Sequence, residues 1–296
     1  MGWIAWATIG YFFNALAIAV DKALLGRREV ASPAAYTITI SSLGLLVLVL
    51  IPFGFAYQGL APALVGLASG FAFTLGLWLM FTVLKLGEAS RVPAFIGTLS
   101  PLFVFALSFV LIAERLSPLG VLAFLLLVAG GFFMVGGKGG LNKRQVWLSV
   151  ASATAFGLAY VLLKVTFLET QFVSALVWTR VGGFASSLLL LFIPGTWQAF
   201  RSGVRQSGSG VKASFIGGQL SGAVAGLINS YAISLASVTL VNALQGVQYV
   251  FLLGMAALVS FRFPQLFRDE FSGSVLWRKV IGTVALVLGL WLLSLA

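Results

Sequence analysis

The stretch Val92–Ala113, VPAFIGTLSPLFVFALSFVLIA, runs for 22 residues without one charged side chain. Wound as an α-helix at 1.5 Å per residue it is about 33 Å long, close to the roughly 30 Å thickness of a bilayer's hydrocarbon core. A soluble core helix is rarely apolar on every face, so this segment reads as a membrane span. Similar segments recur on both sides of it. The sequence predicts ten spans, at Trp3–Leu25, Pro33–Phe55, Pro62–Leu84, Val92–Ala113, Leu116–Gly136, Gln145–Leu168, Gln171–Ile193, Lys212–Ser234, Val238–Ser260 and Val275–Leu295. The whole chain agrees: of 296 residues 60% are hydrophobic and 8% charged, at a mean hydropathy of +1.08. A water-facing globule is about a quarter charged. The expected fold class is an all-α integral membrane protein of the cell membrane, with membrane lipids as surroundings.

The connections are mostly short. Gly195–Val211, rich in Gly, Ser and Arg, and Phe261–Ser274, with Pro264 and Arg268-Asp269-Glu270, read as longer solvated loops. Gly136-Gly137-Lys138-Gly139-Gly140 forms a joint near the midpoint. Shifting the sequence by 142 residues places Lys22 on Lys164, Leu16-Ala17 on Leu158-Ala159, Ser32 on Ser174, Thr37 on Thr179 and Ile51-Pro52 on Ile193-Pro194. Residues 1–140 and 141–296 are therefore expected to be two copies of a five-span unit. Five is odd, so the copies insert in opposite senses, the inverted repeat of many secondary transporters.

The formal net charge is +11. The cations collect in loops after odd-numbered spans: Lys22, Arg27, Arg28, Lys85, Arg91, Lys138, Lys143 and Arg144 in the first half, then Arg201, Arg205, Lys212, Arg262, Arg268, Arg278 and Lys279. The other side holds Arg115 and Lys164. This bias places the odd-numbered loops in the cytoplasm and both termini outside. Met1-Gly2-Trp3 lacks the basic start of a signal peptide, and Trp6 stands where myristoylation needs Ser or Thr. No Lys/Arg-rich run suits nucleic acid, which is not expected as a partner. The sequence sets no oligomeric state.

The chain has no Cys and no His. Disulfides, Cys/His metal sites, thiol nucleophiles and His-based general bases are thereby excluded. The Asp and Glu residues fall at span ends or in loops, so a membrane-embedded enzyme is not expected. No cofactor or metal is expected, and Gly137-Lys138-Gly139 lacks the spacing of a nucleotide-binding loop.

Leu84-Lys85-Leu86-Gly87-Glu88-Ala89-Ser90 leads into Gly97-Thr98-Leu99-Ser100-Pro101-Leu102-Phe103, then Ala113-Glu114-Arg115-Leu116-Ser117-Pro118-Leu119-Gly120 and Gly130-Gly131. This run resembles the EamA-type domain of the drug/metabolite transporter superfamily. In the second copy Ala236-Ser237 matches Ala89-Ser90, Gln248-Tyr249 replaces Pro101-Leu102, and Glu270 echoes Glu114 across a longer loop. The resemblance implies ten helices around a cavity between spans 1–4 and 6–9, with spans 5 and 10 outside it, and export of amino acids or other metabolites. It also implies cytoplasmic termini, against the charge count above.

Arg180, near the middle of span 7, is the most informative residue. A charge at that depth costs on the order of 3 kcal/mol or more unless it faces a cavity or a partner. It anchors a carboxylate or phosphate, or it links to backbone carbonyls. No Asp or Glu lies as deep; Asp21, beside Lys22, reads as an interfacial pair. Lys22 and Lys164 either snorkel to the two interfaces or form symmetric gates. Further candidate substrate contacts are Asn14 on span 1, Trp78 on span 3 with Phe71 and Thr74, Gln219 and Asn229 on span 8, and Asn242, Gln245 and Tyr249 on span 9. Each of these polar groups reads substrate or bonds a neighbouring helix. Gly218, Gly222 and Gly226 mark close helix packing. Pro93 and Pro101 are candidate hinges. The expected function is secondary transport of small amino-acid-like or other carboxylate-bearing solutes. The alternatives are neutral sugars or nucleosides, or a non-transporting scaffold or sensor.

Overall fold

A computed structural model describes residues 2–25, 32–86, 92–134, 141–206, 209–262 and 273–295. Among these residues there is no strand. The reason is physical: hydrocarbon offers the backbone no hydrogen-bond partner, so each segment must satisfy its own peptide groups. The helices are α1 Gly2–Leu25, α2 Pro33–Gly44, α3 Leu60–Leu86, α4 Val92–Ile112, α5 Pro118–Met134 and α6 Lys143–Glu169. They continue with α7 Phe172–Leu188, α8 Thr196–Gln206, α9 Ser209–Leu235, α10 Val238–Ala243, α11 Val247–Arg262 and α12 Gly273–Leu295. Eight helical segments among the described residues are long and apolar enough to cross a membrane, and α5 is a shorter apolar helix. The large apolar side chains left outside, such as Phe109 and Val110 on α4 and Val284, Val287 and Trp291 on α12, form a surface suited to lipid.

Two spans tighten midway. After Gly44 the chain continues as a 3-10 helix, Leu45–Phe53, and after Leu188 as Leu189–Phe192. Span 9 is not one continuous helix: a 3-10 turn, Leu244–Gly246, separates α10 from α11. The heptad spacing that groups Asn242, Gln245 and Tyr249 is therefore distorted where it matters. Pro93 is the second residue of α4, where its missing N–H has no helical partner to lose, so it starts the helix rather than bending it. Pro101 lies inside α4 and is buried. At the end of α4, Ala113 takes a left-handed φ of +51°, and the Glu114 N–H turns back to the Ser108 carbonyl at 3.2 Å. That closes a seven-residue C-terminal turn, Ser108–Glu114, without glycine.

The segment 195–211 is not a loop throughout. Thr196–Gln206 forms α8, in which Trp197 and Phe200, three residues apart, stack with ring centroids 6.3 Å apart. Its Gly, Ser and Arg content hides that spacing. Of the other candidate features, Asp21 and Lys22 lie where only the backbone is described, and Arg27, Arg28, Glu88, Ala89, Ser90, Arg91, Lys138, Arg268, Asp269 and Glu270 lie outside the described residues.

Helix pairs meet at glycine. α3 packs against α6 and α7, α1 against α9, and α5 against α12. A Cβ at Gly70 of α3 would strike the backbone of Thr179 and Gly183, and one at Gly182 would strike Leu67. Gly130 and Gly282 face each other across α5 and α12 in the same way. The run Gly218, Gly222, Gly226 on α9 is less uniform. Gly218 lies tight against Val20, whereas a methyl at Gly222 would make ordinary 3.6 Å contact with Ala17. Gly70→Ala should therefore lower the unfolding temperature sharply, by an overpacking cost of about 1–3 kcal/mol or more, whereas Gly222→Ala leaves it within a degree or two. Thermal unfolding of the two variants in one detergent checks the contrast.

Candidate functional site

Arg180 is brought to its position by the glycine contacts between α3 and α7. With Gly70 and Gly182 letting the two backbones close, the residue beside the contact is directed into a cleft between helices. Ser41 and Gly44 of α2, Gly70, Phe73 and Thr74 of α3, and Thr179 of α7 also line that cleft. Its cavity volume is about 30 Å³, room for about a water molecule.

The guanidinium carbon stands 5.6 Å above the Phe73 ring. A ring face attracts a cation by about 0.5–2 kcal/mol, but it leaves the N–H groups without acceptors. Among the described residues Arg180 makes no hydrogen bond and no ion pair. Its reach is made possible by small neighbours. A Cβ at Gly226 of α9 would lie 3.1 Å from Nη2, and one at Gly44 would lie 3.5 Å from Cδ. Gly226 thus makes room for the charged head rather than for another helix. Thr179 Oγ1, buried beside it, also lacks a partner. Thr74 is satisfied by the Gly183 carbonyl at 3.0 Å.

The other predicted contacts separate into two groups. Gln219 Nε2 donates to Tyr36 Oη at 3.3 Å, joining α9 to α2 on the same side as the cleft. Asn229, one turn beyond Gly226, packs against Gly10, and its buried Oδ1 has no partner. Trp78 is part-buried and does not line the cleft, although its neighbours Thr74 and Leu77 do. Phe71, grouped with it by spacing, faces outward.

The remaining group interlocks α1, α4, α10 and α11. Asn14 Nδ2 donates to Gln248 Oε1 at 2.6 Å, and Tyr11 Oη donates to the Val241 carbonyl at 3.0 Å. Tyr249 Oη donates to the Ala94 carbonyl at 3.2 Å. Gln245 and Tyr249 both approach the bare face of Gly97. Asn242 bonds within its own helix, to the Val238 carbonyl at 2.8 Å, and is buried. None of these groups lines the Arg180 cleft. Lys164 does not snorkel: its Nζ donates to the carbonyls of Ile233 at 2.9 Å and Ala236 at 2.8 Å, closing the C-terminus of α9. Thr239 next to it donates to Glu114 Oε2 at 2.5 Å and pairs with Ser108 at 2.8 Å.

Sequence reasoning missed Phe73, Ser41 and Tyr36 as site residues. Phe73 is one of 26 phenylalanines, and nothing in its local spacing marks it. Thr179 carries one signal, its match to Thr37 under the 142-residue shift.

No family model matches this chain, and no curated protein matches it. The fold itself is found among solved structures. One, described only as the crystal structure of a protein, superposes with a TM-score of 0.62 over 98% of this chain and 96% of its own length, at 19% identity. At that identity the likeness concerns the fold alone.

The Asn14–Gln248 bond ties α1 to α11 away from the cleft. A double-mutant cycle with Asn14→Ala and Gln248→Ala, read by thermal unfolding, should give a coupling of about 1 kcal/mol, near the range of interhelical bonds in membranes. Strictly additive effects would remove the pair's structural role.

Proposed function

We propose that this chain is a secondary transporter of small carboxylate-bearing metabolites, working as an exporter, and that Arg180 holds the carboxylate at mid-membrane. The observation that carries the reading is the guanidinium itself: placed within a span, set over Phe73, facing a cleft, and bonded to no described residue. A cation left so at this depth is stabilised when an anion arrives, and its fork accepts a carboxylate through two parallel bonds. Thr179 offers an adjacent hydroxyl.

The proposed machinery is ten spans in two inverted five-span copies, residues 1–140 and 141–296, of the EamA type, with both termini outside. Packing supports it. Under the repeat, the α3–α6 pair corresponds to α9–α1, and α5–α12 corresponds to itself; all three are close contacts. The 3-10 tightening at Leu45 and at Leu189 also falls at matching places. One correspondence is unequal: α3 packs tightly on α7, whereas its counterpart α9 touches α2 sparsely. The cleft lies on that open side. Alternating access then consists of closing α2 on α9 while α3 separates from α7, which exposes Arg180 to the opposite face.

Flux measured in proteoliposomes with a panel of organic acids, amino acids, sugars and nucleosides tests this. Carboxylate-bearing solutes are expected to move, Arg180→Gln to lose at least about 90% of that flux, and Arg180→Lys, which keeps charge but not the fork, to retain part of it. Unchanged transport in Arg180→Gln, or selective transport of neutral solutes, overturns the proposal.

A further inference from the structure

The cleft beside Arg180 matches a single small ion in size. Its cavity volume of about 30 Å³ has room for about one water molecule. A chloride ion is close to that size, whereas any carboxylate with a side chain is several times larger. Glycine sets the space: Gly44 and Gly226 leave room for the arginine side chain, and Gly70 and Gly183 form part of the wall. The cleft as it stands therefore takes a monatomic ion, and it must widen for a metabolite.

The groups around that space can donate. The Arg180 guanidinium brings N–H groups only, and its contact with the Phe73 ring face at 5.6 Å is not a hydrogen bond. Thr179, the preceding residue, is 8% exposed, lines the cleft and has no partner for its hydroxyl. Ser41 lines the cleft from α2. Thr74 differs, because its proton is committed to the Gly183 carbonyl at 3.0 Å. A hydroxyl rotates to suit its guest, donating to an anion or accepting from a cation. The fixed guanidinium decides which guest comes. A water molecule bonds the N–H groups but leaves the charge, and a second cation is repelled. A buried charge is stable when it is paired, and an anion on a guanidinium makes the stronger, charge-assisted kind of bond.

We infer that the solute-free protein binds a monatomic monovalent anion here, of the size and charge of chloride, on the Arg180 guanidinium and the hydroxyls of Thr179 and Ser41. The binding rests on this geometry alone. Its exchange for a solute carboxylate rests on the transport reading above. Both anions need the same N–H groups, so chloride competes with the solute from whichever side the cleft faces.

The full-length protein, purified in detergent in sodium gluconate, is unfolded by heat while gluconate is replaced by chloride or bromide at constant ionic strength. Chloride and bromide should raise the unfolding temperature in a saturable way, as a ligand of the folded state does. Arg180→Gln should abolish the effect. Thr179→Val, which removes a hydroxyl with no described partner, should weaken chloride several-fold and leave the chloride-free unfolding temperature unchanged. That variant keeps the test intact if Arg180→Gln folds poorly. In proteoliposomes, chloride in place of gluconate should raise the KM of a transported carboxylate from the panel above and leave its maximal rate unchanged. No saturable chloride effect, or one that survives both Arg180→Gln and Thr179→Val, overturns the anion site without touching the transport reading. Saturable chloride binding that needs Arg180, with no carboxylate flux across the panel, supports the anion site and overturns the transport reading. Carboxylate flux whose KM ignores chloride overturns the exchange.

Discussion

A guanidinium carried within a bilayer span needs water, a ring face or an anion, and the protein sets Arg180 over a ring face beside an open cleft. The position depends on a backbone contact. Because Gly70 and Gly182 are bare, α3 and α7 close to the distance at which Arg180 overhangs Phe73. The opposite wall is cut back too, since Gly44 and Gly226 leave the space the long side chain occupies. Glycine in a helix interior costs about 1 kcal/mol relative to alanine in water. In lipid, where apolar association gives little, close approach is what holds helices together. Here Gly70 and Gly182 hold two helices together, while Gly44 and Gly226 leave room for the charge between them.

The helical character of the chain was fully legible, because hydrophobic length is a direct statement about bilayer thickness. Arg180 was legible for the same reason: one charge in a long apolar run is costly and therefore informative. The interlocked polar residues were harder to read. Asn242, Gln245 and Tyr249 share a face only if the helix is continuous, and the 3-10 turn at Leu244–Gly246 distorts that face. Side-chain type says that a polar group needs a partner in lipid; it does not say whether that partner is solute or helix. For Asn14 it is Gln248, and for Asn242 it is the helix's own carbonyl. Phe73 had no signal at all, since its role comes from a residue more than a hundred positions away. The amphipathic α8 was hidden by residues that usually mark loops, although its aromatic period was there to be counted.

The two ends of the bundle are tied differently, and this bears on how the cleft opens. At the far end, α6 closes α9 through Lys164, α4 meets α10 through Glu114, Ser108 and Thr239, and Ser174 bonds both the N–H and the carbonyl of Ala56 at 2.9 Å. These are short, partly buried bonds, and several involve charge, which makes them the stronger kind. At the near end, the described bond across the cleft is the longer one from Gln219 to Tyr36 at 3.3 Å, between neutral groups. Opening at the far end must therefore break charge-assisted bonds.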